Sequence, residues 1–124
     1  MKTIKNIGLE NVQAVYSGPE GDLWELVMGE QIHIGGFQSS MDLAKRAGIG
    51  AGMQGIDLCC CTGAGMRFLV KFCGVESMRG VDATTKVVER GRQRCQVLGL
   101  DKQISFTLAD VCATGLPEAS EVVK

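Results

Sequence analysis

Between Gly55 and Leu69 the chain reads GIDLCCCTGAGMRFL, an apolar run that passes through a turn bearing Gly63 and Gly65 straight into a helical period. From Met53 to Cys60 only Gln54 and Asp57 interrupt the apolar residues, and the run is too short and too glycine-flanked for a long helix, so it predicts a buried strand. Met66, Leu69, Val70 and Cys73 then recur at i, i+3, i+4 and i+7, on a helix that Gly74 ends. A buried strand leading through glycine into an amphipathic helix requires a sheet for the strand and a return path for the helix across it.

The alternation continues downstream. Residues 78–82 read as a second strand closing at Asp82, and Thr84 or Thr85 can cap a helix whose inner face is Val87, Val88, Gly91, Cys95 and Leu98. Ile104, Phe106 and Leu108 alternate with Ser105 and Thr107 as a third strand, residues 104–109, before the loop signals Gly115 and Pro117. The expected fold class is therefore α/β: a partial Rossmann-like three-layer sandwich with parallel strands at about 53–60, 78–82 and 104–109 and right-handed crossovers. The chain ends where the strands beyond the topological switch point would begin, so a truncated or incomplete sheet is expected.

Ahead of Gly50 there is no strand pattern. Gly18, Pro19 and Gly21 predict a turn, after which Leu23, Trp24, Leu26 and Val27 recur at helical spacing until Gly29. Ser39 and Asp42 resemble a capping box opening a helix from Ser40 to Ala47, with Met41, Ala44 and Ala47 inward and Gly48 as its stop. One compact domain is expected, divided into a helical amino-terminal cap segment, 1–50, and a partial Rossmann-like half-domain, 51–124.

Charge and cysteine usage narrow the function. Thirteen Lys+Arg against fourteen Asp+Glu give a net charge of -1, which removes any general attraction to phosphate backbones or anionic lipids, so neither nucleic acid nor membrane is an expected partner. No window approaches the roughly 20 apolar residues of a membrane span, and the amino terminus lacks a secretory apolar run, pointing to a cytoplasmic protein. Cys59, Cys60, Cys61, Cys73, Cys95 and Cys112 then read as reduced, buried thiols acting as small hydrophobes. A soft-metal site at the Cys59–Cys61 triplet is disfavoured, because adjacent strand residues point to opposite faces, and no metal is expected.

The glycine turn can bind an anion: glycine admits a ligand close to the backbone, and the helix start offers N–H groups and partial positive charge to a carboxylate or phosphate. Asp82, ending the second strand, stands where a side chain can accept hydrogen bonds from ribose hydroxyls, and Asp110, ending the third, can meet an adenine amino group. Turn and carboxylates together suggest a ligand carrying a nucleoside.

These residues resemble the class I S-adenosylmethionine-dependent methyltransferases, whose first strand and turn read approximately DxGxGxG, here DLCCCTG from Asp57 to Gly63. Asp82 in MRGVDAT, with Ala83 beside it, matches the acidic residue of the second strand, and LADV matches the third-strand signature, placing Asp110 near the adenine amino group and Val111 against its ring. Upstream, MGEQIHIGGF, Met28 to Phe37, is similar to the segment preceding the core in the glycine, sarcosine and dimethylglycine N-methyltransferase group, where it helps cover the cofactor. The resemblance runs from about Tyr16 to Pro117 and covers only the amino-terminal half of a complete enzyme. It implies S-adenosylmethionine as methyl donor, S-adenosylhomocysteine as product, and in-line transfer to a small-molecule acceptor that the sequence does not identify; no general base is named.

The chain departs from that pattern at Cys59 and Cys61, which stand where the family has its first two glycines. Asp57 hydrogen-bonds the cofactor or fixes the loop. Arg67 meets the cofactor carboxylate bidentately or is a solvated surface arginine. His33 contacts cofactor or acceptor, or is a structural hydrogen-bonding residue. Tyr16 and Trp24 can enclose a sulfonium through cation–π contact, against core packing for Trp24. Two other functions remain: a non-catalytic nucleoside-binding or interaction module, and a nicotinamide dinucleotide half-domain, the latter weakened by Phe68 where GxGxxG needs its third glycine. An incomplete sheet leaves the first strand with an unpaired edge, which predicts a homo-oligomer, such as a dimer, or a partner chain supplying the missing strands.

Overall fold

The computed structural model describes residues 6–29 and 34–116. Its elements run α1 (Leu9–Ser17), α2 (Pro19–Met28), α3 (Gly36–Arg46), β1 (Gln54–Leu58), α4 (Ala64–Cys73), β2 (Ser77–Asp82), α5 (Thr85–Val97) and β3 (Ile104–Leu108). The three strands form one parallel sheet in the order β1-β2-β3, so the fold is α/β and partial Rossmann-like. Because the strands are parallel, their carboxyl ends, and the loops carrying Cys59, Ala83 and Asp110, open at one edge of the sheet.

Asp57, Gly80 and Phe106 lie in one row across the sheet, and glycine at its centre is dictated by packing. A Cβ on Gly80 would stand 2.5 Å from both the Cys60 Sγ and the Met66 Cε. The same economy holds at Gly91 of α5, where a Cβ would fall 2.5 Å from the Phe106 Cζ and 2.7 Å from the Thr62 carbonyl oxygen. These approaches draw α4 and α5 onto a core of Cys60, Met66, Val70, Val75, Met78, Val88, Cys95, Ile104 and Phe106. Gly74 ends α4 in the left-handed region (φ 73°), as expected.

Several local expectations change. Helix α1 had no predicted counterpart; Leu9, Val12 and Tyr16 do recur at helical spacing, but none of its residues is buried. Pro19 opens α2 rather than forming a turn, since proline is preorganised for the first helical turn. Gly21 lies within that helix, where a Cβ would meet the Tyr16 carbonyl oxygen at 2.5 Å. Helix α3 begins at Gly36 with Gly35 as its N-cap, so Ser39 and Asp42 form no capping box; Asp42 instead accepts a hydrogen bond from the Gln38 Nε2 at 3.0 Å. Cys59 and Cys60 fall outside β1, because the backbone of Cys59 turns left-handed (φ 57°).

Helix α2 is tied to α5 by charge rather than by its apolar stripe. Lys86 and Arg90 reach Asp22 at 3.1 and 2.8 Å, Arg90 also reaches Glu25 at 2.7 Å, and Arg94 pairs with the other Glu25 oxygen. Trp24, expected in the core, is 52% exposed, and Leu23, Leu26 and Val27 are exposed with it. Among the described residues no helix is long and apolar enough to cross a membrane, and none of the six cysteines, all described, is in a disulfide.

Candidate functional site

The β1–α4 turn alternates backbone hands. Cys59, Cys61 and Gly63 have φ of 57°, 53° and 83°, while Cys60 and Thr62 between them do not enter the left-handed region. The Cys60 amide donates to the Val81 carbonyl at 3.1 Å and the Gly63 amide to the Cys60 carbonyl at 2.9 Å, folding the chain back over the end of β2. For an L-residue the left-handed conformation costs about 1–2 kcal/mol, which glycine avoids. The two cysteines thus occupy the positions where the backbone most favours glycine. Gly63 is the N-cap of α4 and makes no side-chain cap bond, and the helix start carries the partial positive charge common to helix amino termini.

Asp82 is built into this turn. One carboxylate oxygen accepts the Cys61 amide at 2.9 Å and the other accepts the Thr84 amide at 2.9 Å. Thr84 is the N-cap of α5 and makes no side-chain cap bond of its own. A carboxylate oxygen has two lone pairs, so this clamp leaves acceptor capacity toward a ligand at the sheet edge. Ala83, the next residue, receives a 2.6 Å hydrogen bond from the Gln13 Nε2 of α1 on its carbonyl.

Asp57 is half-buried under the start of α4, its Oδ2 3.8 Å from where a Gly65 Cβ would stand. Arg67 is 1% exposed, which excludes the solvated alternative; its Nη1 donates to the Thr62 carbonyl and holds the turn from beneath. Asp110 and Val111 lie exposed in the loop after β3. There the Asp110 Oδ1 accepts the Cys112 amide at 2.9 Å, a local Asx turn that fixes the carboxylate's direction. His33 lies outside the described residues.

The expectation of buried thiols holds for Cys60 and Cys95 and fails for Cys59 and Cys112, which are exposed. Burial, with the nearby charges of Asp57 and Asp82, pushes the Cys60 thiol well above its ordinary range, and burial raises Cys61 as well. Neither is a thiolate nucleophile near neutral pH. Among the described residues no group of three His, Cys, Asp or Glu side chains is arranged to hold a metal.

The structure thus gathers Asp57, Cys59, Cys61, Gly63, Asp82 and Ala83 at the carboxyl edge of β1 and β2, with Asp110 and Val111 following β3 at the same edge. Sequence reasoning missed Gln13, Glu25, Thr62 and Arg94. Gln13 reaches Ala83 and Glu25 reaches Arg90 of α5 through contacts 70 and 65 residues apart in the chain, for which no local pattern exists. Lys86, Arg90 and Arg94 do share a helical spacing, and that basic stripe facing Asp22 and Glu25 was the one available signal.

No protein-family model matches the chain, and no curated protein matches it at a significant level. Solved structures do. Phosphoethanolamine N-methyltransferase 2 of Haemonchus contortus, with phosphomonomethylethanolamine and S-adenosylhomocysteine bound, superposes with a TM-score of 0.75 at 22% identity, over 88% of this chain and 25% of that one. A Galdieria sulphuraria protein described as a sarcosine dimethylglycine methyltransferase superposes with a TM-score of 0.62 at 20% identity, over 68% of this chain and 32% of that one. A [4+2]-cyclase does so with a TM-score of 0.58 at 17% identity, over 65% and 29%. The chain has the fold of part of the S-adenosylmethionine-dependent methyltransferases. It spans about a quarter to a third of the length of these structures.

Proposed function

We propose that the chain is the cofactor-binding half, residues 51–124 under a helical cap of 1–50, of an S-adenosylmethionine-dependent methyltransferase acting on a small molecule. The observation that carries this reading is the left-handed alternation at Cys59, Cys61 and Gly63, locked by Asp82 at the end of the neighbouring strand. The amides of Cys60, Cys61 and Gly63 are taken up within the fold, and a backbone held this way delivers the start of α4 to the sheet edge, where a ligand would meet it. The residues fit the group. The α4 start takes the methionine carboxylate, the free lone pairs of Asp82 take ribose hydroxyls, and Asp110 and Val111 take the adenine edge and face. Asp57 and Arg67 fix the turn from below.

Bound S-adenosylmethionine supplies an electrophilic methyl on a sulfonium. The chain's own residues orient it, and transfer by in-line displacement needs positioning rather than a covalent nucleophile. The raised thiols of Cys60 and Cys61 agree with that division of labour. The acceptor site belongs to strands beyond those described, which would pair with the outer edge of β1; that edge has no strand partner among the described residues. Six cysteines, none in a disulfide, suit a reducing, cytoplasmic setting.

The fold alone does not set the reaction, since a [4+2]-cyclase shares it, and the second reading is a nucleoside-binding module without turnover. Calorimetric titration separates the readings from each other and from the nicotinamide alternative. Binding of S-adenosylmethionine and S-adenosylhomocysteine, lost in Asp82→Ala and absent for NADH, supports the cofactor site. No binding of either overturns it, and binding without transfer to any acceptor in the presence of the completing strands selects the module.

A further inference from the structure

The cofactor turn is held from above by a helix that lies far from it in sequence. Gly91 lets α5 approach until a Cβ there would sit 2.7 Å from the Thr62 carbonyl oxygen. Arg94, three residues on along the same face, then reaches the turn, its Nη1 lying 3.4 Å from the Thr62 Oγ1. Its Nη2 pairs with the Oε1 of Glu25 on α2. That carboxylate is half-buried and takes Arg90 on its other oxygen at 2.7 Å. A guanidinium is planar and forked, so fixing one arm aims the other. Thr62 itself is 7% exposed and lies between the left-handed residues Cys61 and Gly63. Its carbonyl is held by Arg67 from below while its hydroxyl faces Arg94.

We infer that Glu25 and Arg94 are positioning residues for the cofactor turn: Glu25 orients Arg94, and Arg94 pins Thr62 so that the amides of the α4 start face the ligand. This rests on the proposed cofactor site for its consequence, though not for its geometry. The carboxylate of α2 thereby reaches the turn through a single guanidinium of α5.

The test compares wild type with Arg94→Lys, Thr62→Val, their combination, Glu25→Gln and Thr62→Ser. Lysine keeps a charge for Glu25 but loses the second arm, and valine keeps the volume of Thr62 but loses the hydroxyl. S-adenosylhomocysteine affinity is read by calorimetry, and exchange of the Gly63 amide in the ligand-free protein by NMR. Arg94→Lys and Thr62→Val should each weaken binding roughly fivefold, the worth of one hydrogen bond. The double variant should lose no more than either single one, Thr62→Ser should bind as wild type, and Glu25→Gln should reproduce Arg94→Lys. All but Thr62→Ser should speed exchange at Gly63. Affinity unchanged in Arg94→Lys, or losses that add in the double variant, overturns the inference while leaving the cofactor site standing. A wild type that binds no S-adenosylhomocysteine removes the cofactor site instead, and Gly63 exchange then decides alone: faster exchange in Arg94→Lys supports the positioning of the turn, and unchanged exchange overturns it.

Discussion

Replacing Cys59 by glycine should stabilise the protein, which runs against the ordinary effect of introducing glycine. Cys59 is exposed and its φ is 57°, so the substitution removes a side chain that contributes little burial from a conformation costing an L-residue about 1–2 kcal/mol. Against this, glycine gains unfolded-state freedom worth roughly 0.5–1 kcal/mol. The balance is a gain of about 0.5–1 kcal/mol, or roughly 3–5 °C in melting temperature for a domain of this size. Cys59→Ala is the control: it keeps the Cβ and the backbone cost while removing the thiol, and should leave stability within about 0.5 kcal/mol of wild type. Urea unfolding followed by circular dichroism measures both. If Cys59→Gly is destabilised by the usual glycine penalty, or if Cys59→Ala rises as much as Cys59→Gly, the turn is not left-handed at this residue and the structural argument for a family-like cofactor loop fails.

Gly91→Ala should destabilise by about 2–3 kcal/mol, because the new methyl meets both the Phe106 ring and the fixed Thr62 carbonyl; a change below about 0.5 kcal/mol in the same unfolding assay would show that α5 does not sit that close. Lys86 and Arg90 hold the Asp22 carboxyl below its ordinary range, so its contribution is present above the unfolded value, near pH 4, and is lost as pH falls through the lower folded value. The stability difference between wild type and Asp22→Asn should accordingly be flat at neutral pH and shrink below about pH 4, and a difference unchanged to strongly acid pH would show that the pair does not form. Cys59 and Cys112 should react with an aromatic disulfide reagent in the native state, with Cys60 and Cys95 modified only after unfolding; mass mapping that finds Cys60 labelled early would contradict its packing beneath Gly80.

What the sequence made legible is the part of the fold written in local pattern. The alternation of Ile104, Phe106 and Leu108 and the helical period of Met66, Val70 and Cys73 each report burial on one face, so strands and helices fell within a few residues of their observed bounds. Helix α1 went unread although Leu9, Val12 and Tyr16 stand at helical spacing, and none of those apolar residues is buried. Trp24 misled for the complementary reason: an apolar stripe predicts a buried face, whereas α2 is held by Asp22 and Glu25 on its charged side. The position of Gly63 in the β1–α4 turn and of Asp82 at the end of β2 was readable from local pattern, since turns and strand ends are local events. The roles of Arg67 and Arg94 were not, because burial of the first and the reach of the second depend on how closely Gly80 and Gly91 let the helices approach the sheet.

The most direct test of the account is a two-dimensional amide NMR titration of the isotope-labelled chain with S-adenosylhomocysteine. The account predicts saturable shifts confined to the carboxyl edge of the sheet: Cys59 to Gly65 in the turn, Ala83 after β2, and Asp110 to Cys112 after β3. Shifts absent at millimolar ligand, or concentrated on the outer faces of α3 and α4 away from that edge, would contradict it.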